Sequence, residues 1–153
     1  MVTEDYVSFE IAKLLKEKGF DGSCFYVWTK TENAVPSLLA TANFVEGEMV
    51  TNRETLDAVA QYHMNIYGLN NRVEGYLCPS IAMAMKWLRN IYNLHIIIKS
   101  VIRTYGATEY YYEVNGTKDH SICVICDIFK DETWDTYEQA CESAIKYCLE
   151  KLI

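Results

Sequence analysis

The stretch LHIIIKSVIRTYGATEYYYEVNGTKDHSICVICDIF, Leu94 to Phe129, decides the fold. It reads as three strands rich in β-branched and aromatic residues: Leu94 to Thr104, Ala107 to Val114 and His120 to Phe129. Gly106 lies between the first pair, and Asn115-Gly116, a strong hairpin-turn dipeptide, lies between the second. Links this short make antiparallel neighbours. Side chains alternate between faces along a strand, so Leu94, Ile96, Ile98 and Ile102 share a face with Tyr110, Tyr112, Val114 and the set Ile122, Val124, Cys126 and Ile128. That face is the expected core.

The opposite face carries His95, Ile97, Lys99, Val101 and Arg103, then Glu109, Tyr111 and Glu113, then Cys123, Ile125 and Asp127. Charges of both signs there can pair across strands. Ile97, Val101, Tyr111 and Ile125 nevertheless make it apolar for a solvated surface, so a cover is expected, either the region Thr31 to Tyr76 or another chain. The candidate interface is therefore Ile97, Lys99, Val101, Arg103, Glu109, Tyr111, Glu113 and Ile125.

Cys123 and Cys126 have Cys-x-x-Cys spacing, but on a strand that offset sends the two to opposite faces. They can then neither close an undistorted disulfide nor grip one metal ion. A thioredoxin-like site needs the motif at the start of a helix, and nothing after Cys126 resembles a helix start until Thr136. The spacing is a coincidence of strand composition.

Helical patterns surround the strands. Ser8 to Lys18 forms the first, with Ser8 as N-cap, Ile11, Leu14 and Leu15 facing inward, and Gly19 as the stop. CFYVWTK, from Cys24, reads as a strand and SLLATANFV, from Ser37, as its partner, with Gly47 turning the chain. Thr51 and Glu54 have capping-box spacing before a helix reaching about Tyr67, with Leu56, Val59, Ala60 and His63 on one face. GLNNRVEG, Gly68 to Gly75, has loop composition. A helix then starts with Pro79 in its first position and turns Ile81, Ala84, Met85, Leu88, Ile91 and Tyr92 inward. The last helix, Tyr137 to Leu152, opens on a Thr136/Gln139 capping box and presents Tyr137, Ala140, Cys141, Ala144, Tyr147, Cys148 and Leu152.

At 153 residues the chain is long enough for one self-sufficient core, with no composition break marking a linker. The net charge of -7 and scattered Lys and Arg argue against nucleic acid as a partner. No apolar run has the length of a membrane span, and the acidic N-terminus lacks a signal-peptide layout. A cytoplasmic location follows, where the six cysteines stay reduced and act as small buried hydrophobes.

Reactive constellations are sparse. Cys24 or Cys78 with His63, His95 or His120 is the only nucleophile-base combination on offer, and Cys78 beside Pro79 leads it because a helix N-terminus favours a thiolate. A packing or capping role explains these residues more simply. Asp127, Asp131, Glu132 and Asp135 lack the central glycine and terminal glutamate of a calcium loop. No phosphate-cradling loop, nucleophile elbow or dinucleotide fingerprint occurs. No catalytic, cofactor-binding or metal-binding residue is expected.

Three stretches, VSFEIAKLLKEKGFD, CPSIAMAMKWLRNIYNLHI and DTYEQACESAIKYCLEKL, resemble small uncharacterised proteins of Bacteroides-type gut bacteria, their prophages and their phages. The marks are Pro79-Ser80, Lys86 to Arg89 and Tyr137 to Ala140. The resemblance implies a mobile-element setting and a small α+β fold, and brings no activity or site with it. The region Thr31 to Tyr76 is longer than is usual in that group. The expectation is a single α+β domain over residues 1–153: an antiparallel three-stranded meander with helices on one face and an extra strand pair near the N-terminus. Its expected role is a non-enzymatic interaction with a protein, host or self. The alternative is a small enzyme or ligand-binding domain whose site the middle region builds, with Cys78, His63 and His95 as first candidates.

Overall fold

Helical spacing of apolar residues buries Ile11, Ala12 and Leu15 on one side of α1, Phe9–Glu17, in the computed structural model of the chain. The structure describes residues 5–32, 34–40, 44–45, 48–49, 51–66, 73–104, 106–118, 121–125 and 132–153. The sequence readings that involve Gly47, Tyr67, Gly68, His120, Cys126, Asp127, Ile128 and Asp131 lie outside these residues. So do those on the side chains of His63, Ile122, Cys123, Val124 and Ile125. The chain is α+β and divides into two compact units, Met1–Ser80 and Ile81–Ile153.

In the first unit α1 ends as expected at Gly19, whose φ of 84° is free of strain only without a Cβ. Gly19 N–H bonds the Lys16 carbonyl at 3.2 Å and Phe20 N–H bonds that of Leu15 at 2.9 Å, a Schellman motif with Phe20 tucked inward. Ser8 is the N-cap residue, yet its hydroxyl makes no capping bond. The anticipated strand pair is β1, Tyr26–Thr31, against β2, Ser37–Ala40. A short hairpin follows, β3, Phe44–Val45, with β4, Glu48–Met49. Thr51 is not the cap of α2, Leu56–Ile66. It is fully buried and bridges Cys24, while Asn52 Oδ1 accepts the N–H groups of Glu54 and Thr55 at 2.9 and 3.1 Å.

Val73 to Gly75, the end of the segment with loop composition, open β5, Val73–Cys78, which completes an antiparallel sheet of order β2-β1-β5. Gly75 had suggested a loop. It serves close packing instead: a Cβ there would stand 3.0 Å from Leu56 Cδ1 and 3.1 Å from Ala60 Cβ. α1 lies along β5, and Lys16 Nζ donates to the Gly75 carbonyl at 2.9 Å.

In the second unit α3, Ile81–Tyr92, begins two residues after Pro79, which ends β5 and accepts the Val7 N–H through its carbonyl at 3.1 Å. Ile81, Ala84, Trp87 and Leu88 are buried, whereas Ile91, expected inside, is 60% exposed. The meander is present: β6, Leu94–Ile102, β7, Thr108–Lys118, and β8, Ser121–Ile125, in antiparallel order β6-β7-β8. Asn115-Gly116 is not its turn. Both residues continue β7, and Gly116 faces Leu94 so closely that a Cβ would come 2.7 Å from Leu94 Cδ2.

The core face of β6 and β7 is the expected one. Leu94 and Val114 are buried there, and the Tyr112 ring lies 6.3 Å from Tyr147. Tyr147 belongs to α4, Tyr137–Tyr147, which continues as a π-helical turn, Cys148–Leu152. Ile102, assigned to the core, is 74% exposed because it sits at the hairpin end of the sheet. Thr136 caps α4 as anticipated, accepting the Gln139 N–H at 3.2 Å. The buried stripe is Ala140, Cys141, Ala144, Ile145, Cys148 and Leu149, rotated from the expected one so that Tyr137 is 46% exposed. Among the described residues no helix is long and apolar enough to cross a membrane.

Candidate functional site

The odd-numbered residues of β6 and β7 form the outer face. Register places Ile97 opposite Glu113, Lys99 opposite Tyr111 and Val101 opposite Glu109. Lys99 reaches diagonally to Glu113, and Arg103 Nε reaches diagonally to Glu109 Oε2 at 2.8 Å, the cross-strand pairing foreseen from alternation. Thr133 Oγ1 also donates to Glu109 Oε2, at 2.6 Å. It comes from the segment whose Trp134 exchanges backbone bonds with Tyr110. The Thr133 hydroxyl first, and the Arg103 guanidinium second, hold the Glu109 carboxyl below the usual carboxylate range. Between the two ion pairs lie Val101 and Tyr111, both half-buried, and Ile97, 39% exposed, lies on the far side of the Lys99–Glu113 pair.

The side chain of Ile125 lies outside the described residues. The Ile125 backbone pairs with Val114 and that of Cys123 with Gly116. β7 runs to Lys118, so Asn115-Gly116 lies within the strand.

Of the cysteine-histidine candidates, Cys24, Cys78 and His95 are described, and the His63 side chain and His120 lie outside the described residues. Cys78 is buried on β5 and directs its thiol to the Val7 carbonyl at 3.4 Å. Cys24 is buried as well, and burial, then the neighbouring Cys78, push its thiol up to about 12. His95 belongs to the second unit, is exposed, and lies 3.2 Å from Asn93 Oδ1. Among the described residues no group of three His, Cys, Asp or Glu is placed to hold a metal ion.

The first unit holds a feature that sequence reading missed. Phe9, Lys13, Lys30, Thr31, Glu32, Glu74 and Tyr76 line a groove of about 480 Å³. Its wall is an aromatic corner, with Phe9 5.1 Å from Tyr76 and 6.1 Å from Trp28. Lys16 Nζ lies 4.6 Å above the Tyr76 ring and Lys30 Nζ 5.7 Å above Phe9. Tyr76 donates to Glu74 Oε2 at 2.5 Å, and burial together with that bond pushes its phenol up to about 12. The groove can hold a ligand by stacking and charge. Its residues come from α1, β1 and β5, so no local spacing could have announced it. A smaller cavity of about 320 Å³ lies between α1 and α2, floored by Leu15, Phe20 and Leu77 and rimmed by Lys16, Arg53 and Asp57.

Comparison of the chain with protein-family models, with curated proteins and with solved structures finds no match. Function is therefore argued from the chain itself.

Proposed function

We propose that this chain is a non-enzymatic interaction protein of phage or prophage origin that engages a host protein through the outer face of β6 and β7. The observation that carries this reading is internal charge pairing on that face. Lys99 with Glu113 and Arg103 with Glu109 neutralise one another, which leaves Val101 and Tyr111 as an apolar centre with Ile97 beside the first pair. An apolar centre rimmed by satisfied polar groups is the layout of a protein contact, and tyrosine is a favoured anchor in such contacts. The phage setting is supported by the likeness of the three stretches quoted above, and a cytoplasmic setting by the buried free thiols of Cys24, Cys78, Cys141 and Cys148.

The test is capture from host lysate with wild-type protein and with Tyr111→Glu. A reproducible partner that is lost with the variant, at unchanged thermal stability, supports the reading. Equal capture by both proteins rejects this face, and no partner under varied conditions rejects the interaction role. Genes of a phage module beside the coding sequence support the origin, and a housekeeping neighbourhood rejects it.

The groove under Phe9 and Tyr76 favours a second reading, a ligand-binding domain. Thr31, Glu32, Glu74 and Tyr76 all come from the middle region, which the sequence named as the builder of such a site. A small molecule retained through purification and seen by native mass spectrometry supports it. Loss of that molecule in Tyr76→Ala places it in the groove.

A further inference from the structure

β6 forms one edge of its sheet and is nine residues long. Two sets of bonds fix the direction of its backbone groups. Arg103 N–H bonds the Ala107 carbonyl at 2.9 Å, one position beyond the Ile102–Thr108 pair. Tyr110 exchanges both of its backbone bonds with Trp134, at 2.8 Å each, so its polar groups point away from β6. Antiparallel bonding alternates residue by residue. The odd-numbered residues of β6 therefore bond β7, while Leu94, Ile96, Ile98, Ser100 and Ile102 aim N–H and C=O outward. Among the described residues, no backbone bond meets that outward row.

The other edges are handled differently. Along β5, Tyr6 bridges Ser80, Val7 N–H bonds the Pro79 carbonyl, and Lys16 bonds that of Gly75. β2 has four residues and β8 has five, and short edges recruit poorly. β6 is long and rich in isoleucine. Lys99, the residue type that usually guards an edge, is drawn back onto Glu113 of β7.

We infer that a second copy of this chain fills the edge, β6 against β6, antiparallel about a two-fold axis at Ile98. The outward groups sit on even-numbered residues, and this axis pairs even with even over the whole strand. Ile98 meets Ile98 of the partner subunit, Ile96 meets Ser100 of the partner subunit, and Leu94 meets Ile102 of the partner subunit. Charge allows it: the ribbon of Lys99, Arg103, Glu109 and Glu113 sums to zero in a chain of net charge -7, so the patch does not repel its own copy. The exposed apolar residues also match. Ile102, 74% exposed, marks one end of β6, while Ile91, 60% exposed on the last turn of α3, stands just before the other end. A two-fold axis carries each toward the other's copy, self-complementarity of the kind an isologous contact requires. A foreign strand would leave Ile91 without that match. This contact is separate from the host protein proposed for the outer face.

Light scattering across a dilution series of the full chain tests it, with hydrogen exchange on the same samples. Wild type should dimerise, with the even-numbered β6 amides protected only at the higher concentrations. Ser100→Pro removes an outward N–H, a change that an unpaired edge tolerates, and should raise the dimer dissociation constant by more than about tenfold at unchanged helix and strand content. Should that variant fail to fold, the surface change Ile102→Lys decides by the same readout. Monomeric wild type at every concentration, which would leave the edge to a foreign strand, overturns the inference. So does a dimer that persists in the folded variants. Tyr111→Glu should leave the dimer intact, which separates failure of this contact from failure of the host-binding face.

Discussion

Cys24, Cys148 and Tyr76 show how burial governs chemistry one residue at a time. Desolvation pushes both thiols from 9.0 up to about 12, and the Tyr76 phenol from 10.0 up to about 12. An acid whose pKa is raised by folding keeps its proton after the unfolded chain has released its own. The resulting stabilisation is complete below the unfolded value and is lost as pH climbs toward the folded one. The urea midpoint should therefore fall between about pH 9 and about pH 12, and Cys148→Val should make the decline shallower. For the same reason iodoacetamide at neutral pH should leave Cys24, Cys78, Cys141 and Cys148 unmodified until denaturant is added, as mass spectrometry can check. Rapid labelling of Cys78 alone would restore the nucleophile reading. Glycine is the other lesson at this scale. Gly75 and Gly116 read as loop and turn residues, yet each lies inside a strand where a neighbour needs the space of a Cβ. Gly75→Val should cost about 1–3 kcal/mol by crowding Leu56 and Ala60, measured by thermal or urea unfolding.

Elements announced themselves where local chemistry was complete. Gly19 stops α1, Thr136 starts α4 and Gly106, with φ of 79°, turns β6 into β7, all as the residues demand. At α2 two capping candidates competed. Thr51 has the right spacing to Glu54, but its bridge to Cys24 holds it in an extended pairing, and Asn52 closes the turn that precedes the helix. Asn52→Ala should lower stability by about 1 kcal/mol, whereas Glu54→Ala should stay within about 0.5 kcal/mol, compared as urea midpoints. β5 was missed because its strand character comes from pairing with β1 and from cover by α1 and α2, and composition registers neither. The stripe of α4 was misaimed by a fraction of a turn for a similar reason. Tyr137 and Tyr147 are amphipathic, and spacing alone does not say which side of them lies deepest.

For the whole molecule, the consequential features are a neutral ribbon in an acidic chain and a long edge beside it. Self-association through that edge should depend only weakly on salt, because the ion pairs beside it close within each copy. A steep loss of dimer between low and physiological ionic strength would mean that charges between copies carry the contact. The amino-acid sequence by itself determined the α+β class, the meander, the strand pair near the N-terminus, and the face of β6 and β7 that is buried. Those outcomes depend on alternation and helical period, which are properties of neighbouring residues. Tertiary structure alone decided the registry of β8, the strand made from Val73–Cys78, and the groove joining Phe9 to Tyr76. It also decided that Tyr6, Val7 and Lys16 meet the edge at β5. Each of these depends on residues distant in the chain meeting in space, where packing and the pairing of backbone groups outweigh local preference.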